Sequence, residues 1–235
     1  MSHSAPILES FIYAERQGSC EGIIMRLTGD GFFPITQPTS DTCFPTALKI
    51  VLDGLRYYHK IEGMALRLAD IAKLSNWRVG YGVPEDLTIP KANINKIFRR
   101  FGYMITDGVG ANMSLDILKG IIQDENRSAP IVTVGVSYFA DKNKDYTVIG
   151  RYSVWHQLVV TGWDEMSEKV EIFDTLNNPN RVVINKEERK HSISLPEFSR
   201  YWNEGDKSTI WIEKTGDKNM GKVQKYLIED SSGNV

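Results

Sequence analysis

The sequence predicts an α+β fold, with helices in the first half of the chain and an antiparallel sheet in the second. Between Cys43 and Ile122, apolar residues recur at spacings of three and four, the period of helices buried along one face. From Pro130 onward the pattern changes to short runs rich in valine and isoleucine, bounded by polar turns. Two of those runs are joined by a short polar connection, Trp163 to Ser167, which is a hairpin signal.

Residues 1–36 read as strands and loops, an N-terminal extension packed against a body formed by residues 37–213. The first helix begins at Cys43. Phe44, Leu48, Val51, Leu52, Leu55 and Tyr58 draw one apolar stripe, and Lys49, Asp53 and Arg56 fall on other faces. Pro45 sits in the first turn, where its missing N–H costs nothing. Thr42 or Asp41 offers a side-chain oxygen to the free N–H groups of that turn. Shorter helical patterns follow over residues 65–74 (Leu66, Leu68, Ile71, Leu74) and 91–101 (Ile94, Ile97, Phe98, Phe101), with Gly102 closing the second as its C′ residue. Ser114 reads as the N-cap of a helix through Ile122, with Leu115, Leu118, Ile121 and Ile122 turned inward. Strands are expected at residues 130–136, 154–162, 168–174 and 181–184. The segment Tyr138–Tyr146 between the first two reads as a solvated surface loop, and Trp155 and Trp163 read as core. A polar tail covers residues 214–235.

Composition narrows the function. A chain of 235 residues with 41% hydrophobic content can bury a sizeable core, so one soluble domain accounts for the length. The net charge is −2 and the basic residues form no stripe, which argues against a nucleic-acid partner. No run approaches the roughly 18 apolar residues of a membrane helix. The first residues lack a basic and then apolar signal segment, so the expected location is cytoplasmic, with no membrane partner. Two cysteines make no disulfide framework, and four histidines without a neighbouring cysteine pair make no zinc spacing. No metal or cofactor is therefore expected. Cys20 reads as a bystander, His59 as a structural residue at a helix end, and His191 as part of a solvated charged turn.

Three residues stand out for chemistry. A cysteine at a helix start meets unpaired backbone N–H groups and the positive end of the helix dipole, which favour thiolate over thiol. Cys43 has that position, although a lone cysteine is also often a small buried hydrophobe. His156 lies near the start of one hairpin strand and Asp174 closes the other. A turn centred on Glu165 sets the two directly opposite each other, where facing Cβ atoms lie roughly 4.5–5.5 Å apart. At that distance the aspartate accepts the second ring N–H of the histidine and fixes its tautomer. A slip of one residue would send the pair to opposite faces.

In order and spacing these residues resemble the papain-like cysteine peptidases, and within them the C39-like peptidase group as a stand-alone domain. Four features carry the resemblance: Gln37 six residues ahead of Cys43-Phe44-Pro45-Thr46-Ala47; His156 opening a strand that ends in Gly162-Trp163-Asp164; a following strand closing on Asp174; and Ser194–Trp202, similar to the late helix of these domains, with a closing strand near Ile210–Ile212. The resemblance implies a helical half carrying the nucleophile packed on an antiparallel sheet. It implies Cys43 as nucleophile, His156 as base and then acid, Asp174 as the orienting carboxylate, and Gln37 as a donor to the oxyanion beside the Cys43 backbone N–H. The implied partner is a peptide or amide substrate. Thr42 and Phe44 depart from the Asp and Gly that many members carry on either side of the cysteine. The same triad also serves acyl transfer to amines or thiols, and a silent version of the cleft serves as a peptide-binding groove.

Overall fold

The computed structural model describes residues 23–25, 35, 37–38, 41–59, 61, 64–78, 83, 87–142, 155–175 and 190–215. Cys20, the expected strand at 181–184, the end of the expected loop at 143–146 and the tail beyond 215 lie outside them.

Helix α1 (Cys43–His59) opens where expected. The Thr42 carbonyl accepts from Thr46 N–H at 3.0 Å, so Thr42 occupies the N-cap position and Cys43 is the first helical residue. Phe44, Leu48, Val51, Leu52 and Leu55 are buried as the stripe requires, but Tyr58 is exposed, because the stripe ends one turn before the helix does. Helices α2 (Leu68–Leu74) and α3 (Thr88–Phe98) follow. A 3₁₀ turn then leads into Gly102, whose φ of 75° is the left-handed geometry that favours glycine.

Strand β2 (Tyr103–Gly108) follows directly, between the helical patterns at 91–101 and 114–122, where no element was expected. Its alternating burial, with Tyr103 and Ile105 inward, is the signal that the longer helical periods on either side obscured. Helix α4 (Leu115–Gln123) is capped as expected, with the Ser114 side chain accepting from Ile117 N–H. The remaining elements are β3 (Ile131–Val134), α5 (Val136–Lys142), β4 (His156–Asp164), β5 (Lys169–Asp174), β6 (Lys190–Ser194), α6 (Leu195–Glu204) and β7 (Thr209–Lys214). Among the described residues of the N-terminal stretch, Ile23–Met25 form β1, paired with Gly162–Asp164. His191 lies in β6, not in a turn. Ser194 and Glu197 form a reciprocal capping box at the start of α6.

The sheet is antiparallel, in the order β2-β7-β3-β4-β5-β6, with β1 beside the far end of β4. Helices cover both faces. α1, α2 and α3 bury their stripes against Ile105, Ile131, Val159, Phe173, Ile210 and Ile212. α4, α5 and α6 cover the other face, over Val132, Leu158, Val160, Ile172 and Trp211. With both faces buried, β3 is apolar and inward at nearly every position, and so reads as a continuous run.

The hairpin register differs from the turn-centred expectation. Asp174 faces Leu158, not His156. Nearest the turn the pairs are Asp164–Lys169, Trp163–Val170 and Gly162–Glu171; a bulge at Thr161 then shifts the ladder to Val160–Ile172. Were Thr161 in the ladder, Asp174 would face Val159 and point away from His156. The bulge puts both side chains on the face that carries Leu158, Val160 and Ile172.

Candidate active site

Three described segments meet at the end of β4. His156 is the first residue of that strand, paired with Val134 of β3, and only 2% of it is exposed. Its Nε2 lies 2.7 Å from Oδ1 of Asp174. The two residues are diagonal neighbours across the ladder, a separation of about 7–8 Å between backbones that a long side chain can span. That span is why the far ring nitrogen, Nε2, makes the contact. An ionised carboxylate only accepts, so Nε2 carries the hydrogen and Nδ1 is the nitrogen left for Cys43. The Cys43 side chain, in the first turn of α1, lies close enough to this imidazole to favour its charged form.

The electrostatics follow from these contacts. Burial disfavours the charged imidazole, but the Asp174 carboxylate with its hydrogen bond, and the nearby Cys43 side chain, outweigh that cost. The His156 pKa is pushed up to about 9. At neutral pH the site therefore holds an imidazolium beside a free, half-exposed cysteine.

Gln37 is buried and tied to the residue after Asp174. Its backbone N–H donates to the Thr175 carbonyl at 2.9 Å, and its Oε1 accepts from the Thr175 hydroxyl at 2.7 Å. With Oε1 so engaged, the NH₂ end of the amide is the end turned elsewhere. The loop between Gln37 and Cys43 is held further along by Trp77, whose Nε1 donates to the Asp41 carbonyl at 3.0 Å.

Phe44 does not stand in the site. Its ring is 6% exposed and packs into the core below α1, at a small cavity it shares with Leu87, Pro90, Ile94, Ile105 and Ile210. Trp155, expected in the core, is 40% exposed and lies at the surface beside His156, whereas Trp163 is buried.

The sequence reading missed Tyr138. It lies on α5, not in a surface loop, and is 4% exposed. Its hydroxyl donates to Oδ2 of Asp174 at 2.6 Å, and its ring stacks along that of His156, with centroids 6.1 Å apart and planes inclined by 23°. The run from Val136 to Phe139 is β-prone and short, and gives little helical signal of its own; Gly135, just after a strand, was the available mark of a turn. Thr175 was missed too, since a threonine after a strand carries no signal until its partner is known.

No protein-family model and no curated protein matches this sequence. Among solved structures the chain is similar to a C39-like peptidase from Bacillus anthracis, with a TM-score of 0.55 and 15% identity, covering 83% of this chain and 99% of that one. The fold is that of a C39-like peptidase. The chain is also similar to the peptidase domain of Streptococcus ComA, a bifunctional ABC transporter involved in a quorum-sensing pathway, with a TM-score of 0.45 and 14% identity, covering 78% of this chain and 99% of that one. On this C39-like fold Cys43 enters from the helical layer of one face. His156 and Asp174 belong to the opposite face, and the two sides meet at the strand end. Among the described residues no helix is long and apolar enough to cross a membrane.

Proposed function

We propose that the protein is a cysteine-dependent hydrolase that cleaves a peptide or amide bond through an acyl-enzyme on Cys43. The observation that carries this reading is the chain of contacts from Cys43 to His156 to Asp174, drawn from three separate elements, with the histidine and the aspartate buried and the cysteine partly open. Such a chain is the nucleophile, base and orienting group that acyl transfer to a thiol requires.

In this reaction the Cys43 sulfur adds to the substrate carbonyl carbon, and the carbonyl π electrons move onto oxygen. The Gln37 amide and the Cys43 backbone N–H donate to that oxygen. The C–N bond then breaks, and the proton on His156 Nδ1 passes to the departing amine, leaving a thioester. Water, giving a proton back to His156, adds to the thioester carbonyl; collapse releases the acid and the thiolate. Asp174 holds Nε2–H throughout, so one ring orientation serves both halves.

The test is a mixed peptide library incubated with the protein, with new N-termini read by mass spectrometry. Cleavage should appear with wild type and vanish with Cys43→Ala and with His156→Ala, each of them folded by circular dichroism. Cleavage retained by Cys43→Ala, or absent from wild type across the library, would overturn the reading.

A further inference from the structure

We propose that Tyr138 is a positioning residue of this site, one that holds both members of the Asp174–His156 pair so that Nδ1 stays turned toward Cys43. The proposal deepens the hydrolase reading and rests on it for its effect on turnover.

A carboxylate held by one hydrogen bond is a hinge. On Asp174 both oxygens are held: Oδ1 meets His156 Nε2 at 2.7 Å and Oδ2 accepts from the Tyr138 hydroxyl at 2.6 Å. Two bonds to opposite oxygens fix the plane of the group, and both are short and charge-assisted. The ring of Tyr138 supplies a second restraint, because it lies along the imidazole and blocks one direction of swing. All three residues are buried, so water does not substitute for the hydroxyl at no cost.

Tyr138 is itself held from outside the sheet. At seven residues, α5 is too short to be stable alone. It is docked on α6 at both ends. Ser137 N–H donates to Glu204 Oε2 at 3.0 Å and the Ser137 hydroxyl bonds the other oxygen of the same carboxylate. Asp141 accepts from the Tyr201 hydroxyl at 2.9 Å and pairs with Arg200. Tyr201 also packs edge-on against the Tyr138 ring, at 5.5 Å and 84°. Gly135 permits the close approach, since a Cβ there would lie 2.3 Å from the Glu204 Cβ. The position of the Asp–His pair is therefore set by α6 through α5, as well as by the two strands that carry it.

The test compares Tyr138→Phe, which keeps the ring and removes the hydroxyl, with Tyr103→Phe, a buried tyrosine on β2, as a control for loss of a buried hydroxyl. Three quantities are read: the His156 Nε2–H proton by NMR at neutral pH, the rate of Cys43 alkylation by iodoacetamide, and kcat and KM on a cleaved peptide. Tyr138→Phe should shift the Nε2–H resonance, speed its exchange with water, slow alkylation several-fold and lower kcat about tenfold at unchanged KM, the pattern of an interaction lost in the transition state. Tyr103→Phe should leave all three at wild-type values. If Tyr138→Phe does not fold, 3-fluorotyrosine at position 138 changes the acidity of the hydroxyl at nearly constant volume, and should move the same resonance. A wild-type Nε2–H signal and wild-type alkylation in either variant overturn the proposal and leave Tyr138 a core residue. A wild type that cleaves nothing overturns the hydrolase reading instead, while resonance and alkylation still decide the role of Tyr138.

Discussion

Asp174 reaches His156 along the diagonal of the β4–β5 ladder: Leu158 is its direct partner, yet its Oδ1 lies 2.7 Å from the imidazole Nε2. The contact uses the outer nitrogen and leaves the inner one for the thiol. Asp174→Asn keeps an acceptor of similar shape and removes the charge that holds the imidazolium. The His156 pKa should then fall from about 9 toward its ordinary value near 6.5, read by NMR titration of the ring. Turnover should drop by about 100-fold or more. An unchanged titration would mean that the carboxylate is not what raises it.

Stability should depend on pH through the same group. The folded-state pKa of His156 lies above its unfolded value, so folding binds a proton more tightly. The contribution is fully present below about 6.5 and is lost as pH rises through about 9. Thermal melts of wild type and His156→Gln should therefore converge between pH 6.5 and pH 9. A gap that widens over this window would contradict the assignment.

Gln37 and Thr175 should act together. Gln37→Ala removes the amide NH₂ that faces away from Thr175 and should lower kcat about 100–1,000-fold, the usual cost of one oxyanion donor. Thr175→Val leaves Gln37 in place but removes the hydroxyl that orients it. About a tenfold loss is expected, with recovery in Thr175→Ser. Equal activity in the valine and serine variants would show that the hydroxyl has no part in it.

Thr161 offers a variant with the opposite sign. Its hydroxyl is buried in the β4 bulge with no hydrogen-bond partner among the described residues. Thr161→Val keeps the shape and removes an unsatisfied polar group, so stability should hold or rise by about 1 kcal/mol, with the Nε2–H signal of His156 unmoved. Denaturant unfolding measures the first and NMR the second.

Gly205 lies where the end of α6 abuts β3. A Cβ there would sit 2.1 Å from the Thr133 carbonyl oxygen, a backbone atom that cannot step aside. Gly205→Ala should cost about 1–3 kcal/mol or more in denaturant unfolding, without requiring any change in the chemistry of the site.

Much of this arrangement was legible in the sequence. Cys43 at a helix start follows from the stripe of Phe44, Leu48 and Val51 and from Pro45 in the first turn, all local signals. The hairpin and the strand end at Asp174 were legible for the same reason. Their register was not, because Thr161 looks like any strand residue until β5 is seen to skip it. Tyr138 was hidden for a different reason: its helix exists by docking on Glu204, Arg200 and Tyr201, more than fifty residues away. Strand β2 was assigned to no element, because its six residues sit between the stronger periods of the helices on either side. What the sequence left out was long-range pairing, and the second layer of the site is built from it.

The position of β7 bears on when the sheet is completed as the chain is synthesised. This strand, Thr209–Lys214, lies between β2 and β3, though it is made after every other element described. Until it is inserted, β2 and the strands that carry His156 and Asp174 present two open edges with nothing to join them. A ribosome stalled before Thr209 would hold the cysteine, histidine and aspartate already translated, but not the seam of the sheet that supports them. The last strand described therefore completes the scaffold around Cys43, His156 and Asp174 only after nearly all of the described protein has been made.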